Sequence, residues 1–471
     1  MANRRAPAGD QDSAGAPGGE PVRVAVLGAG NVGGALVSVL LEDAEGIEAR
    51  SGIRLSLAGV AVGDPSKPRP HVPQALVTGD AKALVEDPDV DVVVELIGGL
   101  EPAGSLIRAA LASGKPVVTA NKALLAAEGA SLGDMAAQAG VDLLYEAAVA
   151  GAIPIIRPLR DSLAGEPVRR VMGIVNGTTN FILTRMSEGG LGYEQALAEA
   201  QQLGYAERDP TADVDGHDAA AKAAILASIA FQCDIGADDV PRQGISGVSP
   251  VDIAFADQLG YVVKLLAVAE RIDEPPSAPS VTSSPGTPST PTGNGPAPEI
   301  SVRVHPAMLP ATHPLAAVRG AFNAVFVEGG MSGELMLYGR GAGGRPTASA
   351  VLGDLLDAAH HLRSGSAARP LRRGPAHMHP ADDLRCAWYL NIDVLDRPGV
   401  LAAVATVFGD HDVSIRSMEQ LGMGDEARLV FLTHVARQGD VMATVEGLRN
   451  LEVVEHVGGM LRVLGDEEDR R

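Results

Sequence analysis

The stretch Arg23-Val24-Ala25-Val26-Leu27-Gly28-Ala29-Gly30-Asn31-Val32-Gly33 decides the fold of the N-terminal part of the chain. Its first five residues predict a short buried strand, and residues 31–41 predict the helix that follows it. Between them, Gly28 permits a tight turn, Gly30 lets a pyrophosphate approach the backbone, and Gly33 packs the helix against the strand. A glycine-rich turn without a ligand is the alternative interpretation. The strand–turn–helix context favours dinucleotide binding, with the phosphate facing the helix N-terminus.

The alternation of strands and helices continues beyond this turn. It predicts an α/β protein that begins with a doubly wound, Rossmann-type parallel sheet. Four further strands are predicted in this part of the chain, at residues 55–62, 90–96, 117–120 and 143–146.

Asp64, Lys67 and Arg69 follow the second predicted strand, where NAD and NADP are distinguished. A carboxylate at this place binds the ribose 2′-OH, whereas a basic side chain binds a 2′-phosphate. Asp64 favours NAD and the two basic residues favour NADP, and all three would also fit a solvated loop. The sequence therefore leaves the choice between NAD and NADP open.

The composition of the 471-residue chain excludes several classes of protein. Because 46% of the residues are hydrophobic and only 3% aromatic, its two to four domains need cores of Ala, Val, Leu and Ile. A net charge of −21 argues against binding nucleic acid or an anionic membrane. Cys233 and Cys386 form no CxxC pair, so we expect buried thiols in a reducing compartment. We find no signal peptide and no apolar run that could span a bilayer, and we expect a cytoplasmic protein.

Changes in composition along the chain divide it into segments. The predicted division is a disordered tail at 1–20, a nucleotide-binding domain at 21–150 that is completed by about 339–362, a second, α+β domain at 151–338 with a low-complexity insert at 274–298, a linker at 363–383, and a C-terminal domain at 384–467. In the second domain, helices are predicted at 193–203, 219–231 and 255–270, and strands at 168–175, 302–306, 323–328 and 334–338.

The C-terminal domain has its own order of strand, helix, strand, strand, helix and strand. This order predicts a ferredoxin-like unit. The predicted strands include residues 388–395, 429–435 and 453–463, one helix opens within 396–401, and the other covers 441–448.

The densest group of chemically active side chains lies between residues 207 and 222. Asp215 is a predicted N-cap, and the i, i+4 spacing places Asp218 and Lys222 on one helix face. A capped helix with one surface ion pair is the simpler explanation. However, the rest of this helix is apolar nearly all round, which indicates burial. A buried lysine needs a carboxylate or a cleft, and its tunable pKa suits it to proton transfer.

Lys122 directly follows the predicted strand at 117–120. In an open α/β sheet the ligand crevice lies outside the carboxyl ends of the strands, so Lys122 is well placed for a site. The alternative is a solvated lysine at a helix start.

Four stretches, in this order, closely resemble the homoserine dehydrogenase family. They are Thr119-Ala120-Asn121-Lys122, Gly173-Ile174-Val175-Asn176-Gly177-Thr178-Thr179-Asn180, residues 213–222, and Tyr338-Gly339-Arg340-Gly341-Ala342-Gly343. The resemblance covers about residues 22–359. It implies a catalytic and dimerisation role for the second domain. It also implies an enzyme that interconverts aspartate 4-semialdehyde and homoserine with NAD or NADP, in threonine, methionine and isoleucine biosynthesis.

The resemblance further implies roles for individual residues. Lys222 is the acid–base group, Asp218 holds it or binds substrate, and Lys122 lies near the nicotinamide end of the site. The implied substrate contacts are Glu207, Asp213, Lys122, Gly177 and Thr178. The implied cofactor contacts are Gly28, Gly30, Asn31, Val32, Gly33, Thr119, Lys122, Gly341 and Gly343.

Residues 145–154 resemble the monovalent cation loop of the family. The resemblance implies a sodium ion held by four groups, namely Glu146 and the carbonyls of Val149, Gly151 and Ile153. The chain departs from the family at Gly63, where many NADP-using members carry a basic residue. This departure argues against a strict NADP preference, although Lys67 or Arg69 would compensate.

The C-terminal domain resembles an ACT domain. Its first strand–helix turn contains Asp396, Gly399, Val400 and Leu401, which are implied to grip an amino-acid effector, with threonine expected. A module that only builds the oligomer is the alternative. We expect a homodimer or higher homo-oligomer in either case.

Two other functions fit the same scaffold. A different semialdehyde or amino-acid dehydrogenase is disfavoured by the stretch at 213–222. A catalytically inactive protein that senses nucleotide and amino acid is disfavoured because Lys222, Asp218, Glu207 and Lys122 are all present.

Overall fold

The computed structural model describes residues 20–272, 299–369, 371, 374–422 and 426–465. The predicted insert at 274–298 and the predicted tail, except for Glu20, lie outside the described residues. The chain forms two compact units. The first contains the described residues of Met1–Asn121, Ser131–Tyr145 and Gly343–Ala368, and the second those of Lys122–Ala130, Glu146–Ala342 and Arg369–Arg471.

The first unit contains a six-stranded sheet in which all neighbouring strands pair in parallel. Its strands, in spatial order, are Val77–Thr78, Leu55–Ala61, Val22–Leu27, Val92–Glu95, Val117–Thr119 and Leu143–Leu144. This order, 3-2-1-4-5-6, confirms the predicted Rossmann-type sheet. The helices of this unit are Asn31–Glu42, Ala44–Ser51, Ala81–Glu86, Ala103–Ala112 and Gly344–Ser364, and Lys122–Ala139 ends in it.

The central strand of this sheet is buried on both of its faces. Val24, Ala25, Val26 and Leu27 are all fully buried, as a continuous apolar run requires in a parallel sheet covered on two sides. The strand ends at Gly28, so the backbone turns at the carboxyl edge of the sheet.

The second unit contains one long mixed sheet. Its main path, in spatial order, is Gly333–Arg340, Phe322–Gly329, Val168–Ile174, Tyr261–Ile272, Glu299–Pro310, Val454–Val463, Arg385–Leu395, Glu426–Thr433 and Ile415–Gly422. The helices that precede the C-terminal domain are Gly177–Gly189, Tyr193–Gln202, Thr211–Val214, His217–Ala230 and Pro250–Gln258. Short strands add Cys233–Asp234 paired with Gly374–Pro375, His377–Met378 beside Glu299–Pro310, and Ala436–Arg437.

The C-terminal part has the predicted ferredoxin-like order of strands and helices, with helices Val400–Asp410 and Gln438–Arg449. Its last strand pairs with its first, and also pairs in parallel with the strand Glu299–Pro310 through Ala307 and Met308. The sheet of the C-terminal domain is therefore continuous with the sheet of the domain before it.

The predicted helix at 255–270 is wrong. The structure has a helix at Pro250–Gln258, then Gly260 in the left-handed conformation at φ 80°, then the strand Tyr261–Ile272. This strand pairs with the whole of Glu299–Pro310 and is buried over most of its length. A continuous apolar run does not distinguish a buried strand from a buried helix, and Gly260 marks the boundary.

The predicted N-cap at Asp215 is also wrong. Asp215 follows the short helix Thr211–Val214, and Gly216, at φ 83°, precedes the helix His217–Ala230. A left-handed turn between two helices favours glycine, so Gly216 takes the position before the longer helix. Both cysteines are buried thiols, as predicted.

Candidate active site and cofactor cavity

Two lysines converge on one buried carboxylate in the second unit. Asp218 lies in the first turn of the helix His217–Ala230, and Lys222 lies one turn later. The Nζ of Lys222 is 2.7 Å from Oδ2 of Asp218, and the Nζ of Lys122 is 3.1 Å from Oδ1. The side chains of Asp218 and Lys222 are 8% and 12% exposed, whereas Lys122 is 46% exposed. The predicted pairing of Asp218 with Lys222 is therefore a buried ion pair, and Lys122 joins it from the more open side.

The charges of this cluster support one another. Burial alone would raise the pKa of Asp218, but Lys222 and Lys122 together hold it below its usual range. The charge of Asp218 raises the pKa of Lys122, and Asp213 and Glu207 add to this effect more weakly. Asp218 therefore stays ionised and Lys122 stays protonated at neutral pH.

Asn176 connects two of the predicted acidic residues, a role the sequence did not disclose. Its Nδ2 donates to Oδ1 of Asp213 at 2.7 Å and to Oδ2 of Asp218 at 3.0 Å. Its Oδ1 accepts from the backbone N–H of Thr179, so Asn176 also caps the helix Gly177–Gly189. The Asn at the start of that helix was the available signal, but it predicts only the cap.

The start of the helix Gly177–Gly189 lies against these carboxylates. Thr178 is buried and donates from Oγ1 to the carbonyl of Tyr205 at 2.7 Å, which fixes the chain just before Glu207. The backbone carbonyl of Glu207 accepts from Gln201 at 3.1 Å. Gly177 packs closely, because a Cβ there would lie 2.8 Å from the carbonyl oxygen of Ala321.

A cavity of about 1250 Å³ opens in the first unit beside the glycine turn. Gly28, Gly30 and Asn31 line it. A Cβ on Gly28 would lie 2.6 Å from the carbonyl oxygen of Leu96, whereas a Cβ on Gly30 would meet no protein atom within 4 Å. Gly30 thus leaves open space on the cavity side of the turn, which fits the close approach of a pyrophosphate.

The third glycine of the motif, Gly33, has a packing role. A Cβ on Gly33 would lie 2.0 Å from the carbonyl oxygen of Gly28, so this glycine lets the helix approach the strand. Gly33 and Val32 do not belong to the described lining of the cavity. Thr119 is buried and donates to Oε2 of Glu95 at 2.6 Å, and the other oxygen of Glu95 accepts from the backbone after it. Thr119 therefore positions the carboxylate of Glu95, which in turn holds the backbone that follows the strand. Sequence reasoning assigned the buried Glu95 no role.

The lining of the cavity also contains charged side chains. Four are basic, namely Lys67, Arg69, Lys82 and Arg345, and two are acidic, namely Glu42 and Asp80. Glu42 pairs with Arg345 at 3.0 Å, and Asp64 is absent from the described lining. The Asp64 carboxylate instead accepts from the hydroxyl and backbone N–H of Ser66, and these bonds lower its pKa. Gly343, at φ 127°, precedes the helix that carries Arg345.

Gly341 lies in the second unit and packs against a buried amide. A Cβ on Gly341 would lie 2.1 Å from the side-chain amide of Asn323. The carbonyl oxygen of Gly341 would lie 2.4 Å from a Cβ on Gly151, so the implied cofactor residue Gly341 packs against the implied sodium-binding residue Gly151.

Comparison with known proteins agrees with these features. The family models for the NAD-binding domain of homoserine dehydrogenase, for homoserine dehydrogenase and for the ACT domain match residues 28–146, 154–356 and 388–453. The homoserine dehydrogenase of Corynebacterium glutamicum is 48% identical over 95% of this chain and 97% of its own length. That of Mycobacterium tuberculosis is 49% identical over 95% and 99%. The chain belongs to the homoserine dehydrogenase family.

Solved structures agree with this membership. The homoserine dehydrogenase of Thiobacillus denitrificans is 37% identical, covers 94% of this chain and 98% of its own, and superposes with a TM-score of 0.85. A hyperthermophilic archaeal homoserine dehydrogenase in complex with NADPH is 28% identical over 72% and 97%, with a TM-score of 0.56. As a member of the homoserine dehydrogenase family, the chain is an oxidoreductase with a domain for a nicotinamide cofactor.

The predicted cation loop of this homoserine dehydrogenase is a tight turn. Oε1 of Glu146 accepts from the backbone N–H groups of Ile155 and Ile156, and Oε2 accepts from Arg157. Glu146 therefore anchors the following backbone. In the described part of the chain, the carbonyls of Val149, Gly151 and Ile153 accept no backbone hydrogen bond. Neutral oxygens of this kind fit a hard monovalent cation.

The predicted effector turn lies on the surface of the ACT domain of this homoserine dehydrogenase. Gly399, at φ 93°, precedes the helix Val400–Asp410. Asp396 is exposed, Leu401 is 40% exposed, and Val400 is buried at the helix start. The described residues include no group of three His, Cys, Asp or Glu side chains suited to a metal, and no described helix has the length and apolar character that crossing a bilayer requires.

Proposed function

We propose that the enzyme catalyses the reversible, NADPH-dependent reduction of L-aspartate 4-semialdehyde to L-homoserine, a step toward threonine, methionine and isoleucine. The observation that carries this proposal is the cluster of Lys222, Asp218 and Lys122 in the catalytic unit. When bound, the nicotinamide supplies the hydride. The residues of the chain bind the substrate and handle the proton.

Lys222 is the proposed acid–base group. Its ammonium has three N–H donors, of which one goes to Asp218 and one to the carbonyl of Val175 at 2.8 Å. The third is available for the substrate oxygen, so Lys222 protonates that oxygen during reduction and accepts the proton during oxidation. Asp218 holds Lys222 in place, and Lys122 adds a second positive charge beside it.

The remaining residues of the cluster are proposed to orient the substrate. Glu207 and Asp213 supply carboxylates for the substrate amino group. Gly177 and Thr178 start a helix, where backbone N–H groups without intrahelical partners suit a carboxylate. We propose cofactor contacts for Gly28, Gly30 and Asn31, which line the cavity of the first unit.

The proposed preference for NADPH rests on Lys67 and Arg69, which line the cofactor cavity. Asp64 does not belong to the described lining, and its Oδ1 accepts from Ser66. Glu42 and Asp80 also line the cavity, but Glu42 pairs with Arg345 and Asp80 caps the helix Ala81–Glu86. These contacts favour a 2′-phosphate over a 2′-OH, although Gly63 carries no charge of its own.

Initial rates of L-homoserine oxidation with NAD and NADP test both proposals. We expect turnover with a higher kcat/KM for NADP, and an Arg69→Ala variant in which kcat/KM for NADP falls about tenfold while that for NAD changes little. Absence of turnover with either cofactor in folded protein would contradict the reaction. Equal losses for both cofactors would contradict the role of Arg69.

Three further proposals concern ions, effectors and assembly. Sodium binds the carbonyls of Val149, Gly151 and Ile153 near Glu146. Replacing sodium with choline in a thermal stability assay tests this proposal.

Threonine binds at a group of four residues in the ACT turn and inhibits the enzyme; they are Asp396, Gly399, Val400 and Leu401. Adding threonine to the rate assay with wild type and Asp396→Ala tests this proposal. A homodimer forms through the edge strand Gly333–Arg340, where Met336 and Tyr338 are 36% and 55% exposed. Light scattering measures the mass of the assembly in solution.

A further inference from the structure

The helix Gly177–Gly189 lies along the segment 318–322 of the second unit. Asn180, Thr184 and Glu188 follow one another at intervals of four residues, which places their side chains on one face of the helix. Each of the three contacts this segment at a different point. The segment therefore contacts the helix from its first turn to its last.

The two contacts farther from the helix start are an ion pair and a backbone hydrogen bond. Nε of Arg319 is 3.1 Å from Oε1 of Glu188, and both side chains are exposed. The backbone N–H of Gly320 donates to Oγ1 of the buried Thr184 at 3.1 Å, and that hydroxyl donates to the carbonyl of Asn180 at 2.6 Å. An exposed ion pair contributes little to stability, so the buried hydrogen bonds hold the segment in place.

Asn180 and Lys264 hold the segment at the first turn of the helix. Asn180 donates from Nδ2 to the carbonyls of Gly320 at 2.8 Å and of Phe322 at 3.1 Å. Its Oδ1 accepts from Nζ of Lys264 at 3.1 Å, and the same Nζ donates to the carbonyl of Val318 at 2.5 Å. Lys264 therefore bridges the helix and the beginning of the segment, and it fixes the orientation of the Asn180 amide.

Stability does not account for the presence of a lysine at position 264. Its side chain is 2% exposed, and among the residues that the structure describes no carboxylate lies within 4 Å of its Nζ. Taking an ammonium group out of water without an opposite charge is unfavourable, so Lys264 lowers the free energy of unfolding at neutral pH. A methionine would fill the same space without this penalty. A role in the function of the helix is therefore the better explanation.

The helix start packs directly against the same segment. A Cβ on Gly177 would lie 2.8 Å from the carbonyl oxygen of Ala321 and 3.5 Å from Oδ1 of Asn323. Gly177 and Thr178 are the residues proposed above for the substrate carboxylate, because N–H groups at a helix start have no intrahelical acceptor. A shift of the segment 318–322 would therefore displace the groups that bind the carboxylate.

We propose that Lys264 is a positioning residue for the substrate. Through Asn180 and Val318 it fixes the helix start that receives the substrate carboxylate, and it is too deeply buried to touch the substrate itself. The inference rests on the proposed function, which assigns Gly177 and Thr178 to that carboxylate.

Initial rates of L-homoserine oxidation by Lys264→Met test this proposal. The KM for L-homoserine should rise about tenfold while kcat stays within about twofold of wild type, because the carboxylate site is displaced and Lys222 is not. The KM for NADP should stay at the wild-type value, since the cofactor cavity belongs to the first unit. Calorimetric titration of L-homoserine into the complex with NADPH, which cannot accept a hydride, should show the same rise in the dissociation constant.

Lys115→Met is the matched control. Lys115 is also buried, and its Nζ also donates to two carbonyls, those of Val85 and Asp87, but it lies in the first unit. This variant should keep the wild-type KM for L-homoserine. Thr184→Val is a second test variant, because it removes the hydrogen bond with Gly320 with almost no change of shape. It should raise the same KM about threefold.

A wild-type KM for L-homoserine in both Lys264→Met and Thr184→Val would overturn the proposal. A loss confined to kcat, or an equal rise in the KM for NADP, would overturn it as well, because a displaced carboxylate site causes neither. If Lys264→Met does not fold, Thr184→Val decides alone. Absence of turnover in the wild type contradicts the proposed function instead, and the calorimetric titration then decides the role of Lys264.

Discussion

Asp218 accepts from two lysines through different oxygens, so the two ion pairs can be separated by substitution. The i, i+4 spacing predicted the contact with Lys222 from sequence alone. The contact with Lys122 joins residues far apart in the chain and was not predicted. The position of Lys122 after a strand and the family resemblance placed this lysine only near the site. Asn176 was not predicted because its partners Asp213 and Asp218 lie 37 and 42 residues away.

Lys222→Ala should lower kcat for homoserine oxidation by about 10² to 10⁴, the range typical for loss of a general acid–base group. The KM for NADP should change little, because the cofactor cavity belongs to the first unit. Lys222→Arg is the control: it keeps the charge beside Asp218 but cannot exchange its proton, so it should be nearly as inactive. Rates near wild type in either variant contradict the assignment, and circular dichroism verifies the fold.

Lys264 is a buried lysine whose described surroundings contain no carboxylate within 4 Å. Its Nζ donates to Oδ1 of Asn180 at 3.1 Å and to the carbonyl of Val318 at 2.5 Å, bonds that a neutral amine can also make. Burial, together with a smaller effect of Arg319 and against the charge of Glu188, lowers its pKa to about 8. The unfolded chain, with a lysine pKa near 10.5, therefore binds more protons between pH 8 and 10.5.

The contribution of Lys264 to stability should consequently rise with pH across this window, by up to about 3 kcal/mol. Below pH 8 the lysine is charged in both states and its burial is fully unfavourable. Lys264→Met should abolish the rise, which is measured as the difference in melting temperature from wild type at several pH values. Lys82→Met, at a lysine whose side chain is 75% exposed, should preserve the wild-type profile. A flat difference for Lys264→Met would show that its pKa is unshifted.

At the scale of elements, the Rossmann-type sheet and the ferredoxin-like order were predictable because short apolar runs and turn residues alternate clearly in both. The strand Tyr261–Ile272 was not, because its apolar run has no period that separates strand from helix. Pairing with the strand Glu299–Pro310 decides its conformation. That strand lies beyond the predicted insert at 274–298, so the pairing partner is distant in sequence. Such pairing is a tertiary effect that the local sequence does not contain.

The helix Pro250–Gln258 is joined to the ACT domain through Asp252. This fully buried carboxylate accepts from Ser249 in a capping box, from the hydroxyl of Tyr389 at 3.0 Å, and from the amide of Asn391. Burial and the charge of Asp252 raise the pKa of Tyr389, so the phenol remains a donor.

Asp252→Ala should destabilise the protein by about 2–4 kcal/mol, because it leaves the Tyr389 and Asn391 donors buried without an acceptor. Ser249→Ala removes only a cap and should cost about 1 kcal/mol. Denaturant unfolding of both variants measures the difference. Equal losses in the two variants would mean that Asp252 acts only as part of the cap.

At the scale of the whole molecule, the catalytic and ACT domains share one sheet. Deleting residues 384–471 removes the strand that pairs with Ala307 and Met308, and takes Leu464 from the core beneath them. We expect a lower melting temperature and self-association through the unpaired edge, together with loss of any threonine response. Scanning calorimetry and light scattering measure the first two effects.

Asp396→Ala is the matched comparison for this deletion. It changes an exposed residue of the ACT turn, so it should lose only the threonine response and keep the melting temperature. A truncated protein as stable and as well dispersed as wild type would contradict the structural role of the shared sheet.

The shared sheet also bears on engineering. A regulatory domain connected by a flexible tether can be exchanged between enzymes as a cassette, because its graft needs only a compatible linker. Here the last ACT strand is paired with Ala307 and Met308 of the catalytic sheet, so a foreign domain would have to reproduce that register as well as its own fold. Chimeras designed to change feedback control should therefore exchange the turn at residues 396–401 and leave the strand Val454–Val463 unaltered.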